Sequence, residues 1–159
     1  MLQFDGGPCF LELEDVLAIH LEQVAITGEP TDILFQDRLE AAVANVQNAY
    51  WYGVTDHFQL AAKYAFGIAK GHGFRQGNKR TGLVSALVFL GAQGHDISGY
   101  SNTALEAGTL GLVQDFISTE EFAEYFRYPS LLNSANILVK SLRHSFRQLL
   151  HRYRRVGIT

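Results

Sequence analysis

Cysteine is all but absent from this chain. Cys9 is the single one in 159 residues, which excludes an intrachain disulfide and a thiolate zinc cluster and points to a reducing compartment. Proline is scarce at three residues, and no Gly/Ser or Pro linker, low-complexity tract or internal repeat interrupts the sequence. No apolar run approaches the roughly 18 residues that span a bilayer, and no basic stretch leads into an apolar core at the N-terminus. The expectation is a cytoplasmic protein that engages no membrane. Also missing is any period-2 alternation long enough to build a sheet. What is present is 47% hydrophobic and 18% charged residues, too apolar for a disordered tail and enough for one domain that buries roughly 68–70% of its unfolded surface.

Helical spacing accounts for most of the chain. Residues 13–27 set Leu13, Val16, Leu17, Leu21, Val24 and Ala25 on one stripe, open with Glu14 and Asp15 and stop at Gly28 and Pro30. Residues 37–49 repeat the pattern, and Tyr50-Trp51-Tyr52-Gly53 after them has β-former character, which predicts a helix followed by a strand-like flap. Residues 57–70 and 81–92 are apolar nearly all round, as helices buried on most sides must be. Residues 102–114 and 119–127 add two more helices, so the predicted class is all-α.

Charge is unevenly spread. The formal net charge is −3, yet all 16 acids lie in residues 1–126 against six Lys/Arg, whereas residues 127–159 hold seven Lys/Arg and no acid. The shift near Pro129 divides the chain into a body, 1–127, and a basic amphipathic helix, 128–159, expected to pack on the acidic body. Docking of a partner protein, nucleic acid and an anionic membrane surface are the other uses open to that segment, with nucleic acid not expected as a partner of the protein as a whole. Within the body, Lys70, Arg75, Lys79 and Arg80 fall inside eleven residues that contain no carboxylate, a candidate anion site or a solvated basic turn.

That cluster surrounds the turn Gly71-His72-Gly73-Phe74-Arg75-Gln76-Gly77-Asn78-Lys79-Arg80, which joins the two most buried helices and must lie at one end of the core. The first four N–H groups of a helix lack internal partners, so a glycine turn entering a helix can hold phosphate oxygens on backbone amides. Gly77 lets phosphate approach, Asn78 can donate from its side-chain amide, and Lys79 and Arg80 add a point charge and a bidentate fork. His72 is placed to act as general base, because a neutral imidazole near pH 7 can take a proton from an attacking hydroxyl. Phe74 is the anchor expected to insert into the core. A P-loop is excluded, since Asn78 rather than Lys follows Gly77, and so is a dinucleotide fingerprint, since the glycine spacing is one residue too long. His20, His57 and His95 lack metal-ligand spacing and read as helix-surface or capping histidines.

His72-Gly-Phe74-Arg-Gln76-Gly77-Asn78-Lys79-Arg80 resembles the signature of the Fic/Doc family, and the ending Asn-Lys-Arg-Thr is similar to that of its death-on-curing (Doc) branch. Phe10–His20, Arg38–Ala42, Phe58–Ala62 and Ile68–His72 are similar to Doc-family segments in the same order, so the resemblance covers roughly residues 10–126. It implies an all-helical Fic bundle with a short β-like flap that binds ATP with Mg²⁺ and modifies a hydroxyl of a target protein. It also implies a toxin paired with a cognate antitoxin. In the Doc branch the implied reaction is phosphoryl transfer to a translation elongation factor; in other Fic branches it is transfer of AMP. Carried over by position, His72 is the base, Gly77, Asn78, Lys79 and Arg80 hold the phosphates, Phe74 anchors the loop, and Tyr50, Trp51 and Tyr52 occupy the region of a target-docking flap. Ordinary packing of these three aromatics is the other reading.

Two departures bear on chemistry. Gln76 stands where the family carries a metal-holding acid, offering a neutral carbonyl oxygen where Mg²⁺ favours carboxylate. Weakened metal affinity is expected, leaving either a Mg²⁺-hungry enzyme or a catalytically weakened fold kept for binding or nucleotide sensing. Leu83 stands where AMP-transferring relatives carry a second arginine, which favours phosphoryl transfer. The family's own-chain inhibitory motif is also missing, so restraint is expected from a partner.

Overall fold

The structure, a computed structural model, describes residues 1–3 and 6–129. Six helices carry the described chain: α1 (Leu13–Thr27), α2 (Gln36–Trp51), α3 (His57–Gly71), α4 (Asn78–Ala92), α5 (Asn102–Val113) and α6 (Thr119–Arg127). Two short antiparallel strands, β1 (Leu2–Gln3) and β2 (Cys9–Phe10), pair Leu2 with Phe10 and Gln3 with Cys9. The protein is all-α, as its periodicity implies. The segment beyond Pro129, read above as a basic amphipathic helix, lies outside the described residues.

Local chemistry starts and stops several of these helices. Asp15 accepts a hydrogen bond from the Glu12 amide (2.8 Å) at the head of α1, and Gly28 closes that helix in the left-handed region. Asp56 caps α3 by accepting from the Phe58 amide (2.9 Å), and its carboxylate also pairs with Arg127 of α6. Ser118 and Glu121 form a reciprocal capping box at α6.

The α3 and α4 helices form the centre of the bundle. Leu60, Ala61, Tyr64, Ala65 and Ile68 of α3 meet Gly82, Ala86, Phe89 and Leu90 of α4 in a core closed by Phe10, Val16, Val46, Leu105, Phe122 and Phe126. Gly82 sets their separation, because a Cβ there would lie 2.7 Å from the Ala65 carbonyl oxygen. The Tyr64 hydroxyl accepts from the Leu11 amide (3.0 Å) and donates to the Leu11 carbonyl (3.2 Å), which ties the entry of α1 to the middle of α3.

The predicted strand-like flap at Tyr50–Tyr52 is corrected. Tyr50 and Trp51 form the last turn of α2, and Tyr52 closes it. Tyr50 packs edge-on against Phe10 with centroids 5.5 Å apart, so burial of one ring extends the helix against local β propensity. Trp51 and Tyr52 project outward, 60% and 90% exposed. Main-chain pairing within the chain occurs instead at the other end of α2. Ile33 bridges antiparallel to Phe74, the Gly73 carbonyl accepts from the amides of Leu34 (2.7 Å) and Phe35 (3.0 Å), and the Arg75 amide donates to the Asp32 carbonyl (3.0 Å). At 1.5 Å rise per residue, Tyr50 is roughly 20 Å along the axis from that pairing.

Candidate functional site

The turn between α3 and α4 occupies one end of this central helix pair. His72 ends α3 with φ 50° and ψ 42°, one of two non-glycine residues at positive φ among those described, and its side chain is exposed. Left-handed backbone on a side chain of this kind is uncommon and is retained where the surroundings fix it. Here the Gly71 carbonyl is held by Arg38 of α2 (3.2 Å), and Gly73 is pinned by Leu34 and Phe35. Phe74 then turns inward, 1% exposed.

Asn78 closes the turn. Its Oδ1 accepts from the Phe74 amide (2.9 Å) and its Nδ2 donates to the Phe74 carbonyl (2.8 Å), so the side chain braces the loop and keeps one further N–H at the cavity it lines. Gly77 precedes it at φ 78°, and a Cβ there would sit 3.2 Å from Val24 Cγ1 of α1. Glycine is therefore required both by the backbone and by the packed helix beneath it. Asn78, Lys79 and Arg80 form the first turn of α4, three residues earlier than the apolar pattern begins, because none of them contributes to the core stripe. That turn carries the helix amides without internal partners.

A cavity of about 640 Å³ opens over this helix start. Its walls bring together His72, Gln76, Gly77, Asn78, Lys79 and Arg80 with Ala69, Leu83 and, from α5, Glu106, Thr109, Leu110 and Val113. Its size is that of a small-molecule site, with Leu83, Leu110 and Val113 as apolar wall and the polar groups concentrated at the turn and the start of α4. The four-cation cluster divides: Lys70 pairs with Asp115 and Arg75 faces Asp32 (3.6 Å), while Lys79 and Arg80 line the cavity. Glu29, directly after the α1 cap, also lines it and pairs with the Arg80 guanidinium. Sequence reading missed Glu29 and Glu106, since neither lies near the motif in the chain.

His20 was also misjudged. Rather than on a helix surface, it is buried between α1 and the turn, and burial holds its imidazole below the ordinary 6.5. The signal was present, because His20 stands at i+4 from Val16 and i−4 from Val24, both buried. His57 and His95 lie elsewhere, with Nδ1 and Nε2 3.1 Å apart.

The donor set fits a nucleotide's phosphates: a helix start with free amides, a glycine turn, an ammonium and a guanidinium face one cavity. For Mg²⁺ the fit is poorer. No group of three His, Cys, Asp or Glu able to hold a metal occurs among the described residues, and Gln76 contributes a neutral oxygen. Phosphate oxygens and water would supply most of such an ion's ligands, with Gln76, Glu29 and Glu106 among the protein side-chain oxygens at the cavity.

An all-helical bundle with this motif joining its two central helices defines a class. Residues 10–90 match the sequence model of the family described as Fic/DOC. A protein of Escherichia phage P1 named "Protein kinase doc" is 32% identical over 115 residues, which span 72% of this chain and 90% of the phage protein. The chain belongs to the Fic/DOC family. Among the described residues, no helix is long and apolar enough to cross a membrane.

Proposed function

We propose that this protein is a Doc-like toxin of a toxin–antitoxin pair that transfers the γ-phosphoryl group of ATP to a hydroxyl of a target protein in the translation machinery. The observation that carries the reading is the placement of His72, the cavity's one imidazole, on the wall that also holds the start of α4. Lys79, Arg80 and the backbone amides from Gly77 onward bind and orient the phosphates. His72 accepts the proton of the target hydroxyl as its oxygen bonds to the γ-phosphorus. The bond from that phosphorus to the β–γ bridging oxygen breaks, and ADP leaves. Magnesium, when bound with ATP, supplies charge neutralisation on the phosphates.

Phosphoryl transfer is favoured over AMP transfer by Leu83, which presents an apolar wall where a second arginine would clamp additional phosphate. A catalytically weakened nucleotide-binding module is the second reading, favoured by the neutral Gln76 and by the carboxylate of Glu29 on Arg80. ATP labelled at the γ or the α position, incubated with the protein and a lysate of susceptible cells, separates the three. Label from γ alone supports the proposal, label from α supports AMP transfer, and neither supports the binding module. His72→Ala should abolish both transfer and growth arrest; an alanine variant as toxic as the parent would refute the assignment of the base.

A further inference from the structure

His20 has no part in that chemistry, yet it is built into the underside of the turn. It is 1% exposed, and its imidazole stacks face to face on Phe74 with centroids 3.6 Å apart and planes 8° apart. Its Nδ1 lies 3.1 Å from the hydroxyl of Thr81, itself fully buried in α4. A Cβ added to Gly77 would come within 3.4 Å of His20 Cε1. One ring therefore touches the inward-turning residue of the loop and the opening of the helix beyond it, and lies where a side chain at Gly77 would have to go.

The remaining ring nitrogen, Nε2, is buried with no hydrogen-bond partner among the described residues. A buried polar atom left unpaired costs stability, and an apolar ring would fill the same space without that cost. Retention of a locally unfavourable group beside a site is the pattern expected when the group serves the site rather than the fold.

We propose that His20 is a positioning residue for the phosphate turn. Its stacking fixes Phe74 and its bond to Thr81 fixes the head of α4, so that the amides from Gly77 to Arg80 hold their aim. The claim rests on the phosphate-binding reading of the cavity, but the geometry of the turn can be measured without nucleotide. The test uses His20→Phe, which keeps the stack and loses the bond, with Thr81→Val and Thr81→Ser as variants that remove and retain the hydroxyl. In the free protein, His20→Phe should leave the melting midpoint unchanged or raised while amides in residues 73–81 exchange with deuterium about tenfold faster. In calorimetric titration with MgATP its Kd should rise about tenfold at unchanged stoichiometry, since small misplacement of a binding group costs this much or more. Thr81→Val should move both quantities in the same direction and Thr81→Ser should restore them.

Unchanged exchange and unchanged Kd in both His20→Phe and Thr81→Val would overturn the proposal. So would a fall in stoichiometry at constant Kd, which is the signature of lost folded protein alone. A parent that binds no MgATP, with the turn loosened in the variants as described, would refute the nucleotide reading and support the positioning role of His20.

Discussion

Removing the charge of Glu29 should tighten nucleotide binding. Its carboxylate pairs with the Arg80 guanidinium at the cavity, where the two side chains are 28% and 32% exposed. A phosphate that seats on Arg80 must first displace this carboxylate, so the strength of the internal pair is subtracted from the affinity. Ion pairs of this exposure contribute about 0.2–1 kcal/mol. At about 1.4 kcal/mol per decade, Glu29→Gln is expected to lower the Kd for MgATP by about 1.4- to 5-fold. Glutamine preserves shape and an acceptor oxygen, so the change isolates the charge. Isothermal titration in about 0.15 M salt measures it, and the gain should shrink at about 1 M, where screening acts over only a few ångströms. In an Arg80→Ala background the gain should disappear, because the competed group is gone. Weaker binding by Glu29→Gln would refute the competition argument and mean that Glu29 aims Arg80 or holds the cation.

Other perturbations follow from the same geometry. Gln76→Asp replaces a neutral oxygen with a hard anionic one, so half-saturating Mg²⁺ for nucleotide binding should fall about tenfold, as a charge-assisted contact allows; an unchanged Mg²⁺ requirement would show that position 76 does not face the ion. Gly82→Ala puts a Cβ 2.7 Å from the Ala65 carbonyl and 3.1 Å from the Ala69 amide, and overpacking of this kind should cost about 1–3 kcal/mol in urea unfolding. An unaltered midpoint would mean that α3 and α4 separate freely. Burial holds the imidazoles of His20 and His57 below the ordinary 6.5, with His95 adding to the effect on His57. Their neutral forms are favoured by folding, so the stability they contribute is complete above about pH 6.5 and is lost as pH falls through their lower folded values. The melting midpoint should therefore drop on acidification from pH 6.5, and His20→Phe should flatten that slope; identical slopes would remove His20 from the titration.

The bundle was legible because helical burial leaves a period in the sequence. Val16 and Val24 in α1, and the nearly continuous apolar faces of α3 and α4, give the helices to within a few residues. The start of α4 was not, because Asn78, Lys79 and Arg80 serve the loop and cavity and leave no apolar signature. The strand-like reading of residues 50–52 fails for a related reason. Tyr50-Trp51-Tyr52 carries strong local β propensity, but packing of Tyr50 on Phe10 keeps it helical, whereas Ile33 pairs with Phe74 through backbone groups that no side-chain pattern records. The motif itself was legible as a glycine turn rich in anion-binding groups. Its surroundings were not, since Glu29 meets Arg80 across 51 residues and Thr81 meets His20 across 61. The brace from the Asn78 amide to Phe74 is likewise a matter of geometry, because the residue type alone suits a phosphate donor and a loop brace equally.

The most direct measurement is a crystal structure of the protein with Mg²⁺ and a non-hydrolysable ATP analogue. The phosphates should lie against the amides of residues 77–80 at the start of α4, with Lys79 and Arg80 in contact and the Glu29 carboxylate displaced from Arg80. A cavity that stays empty at saturating analogue, with Glu29 still bound to Arg80, would contradict the account.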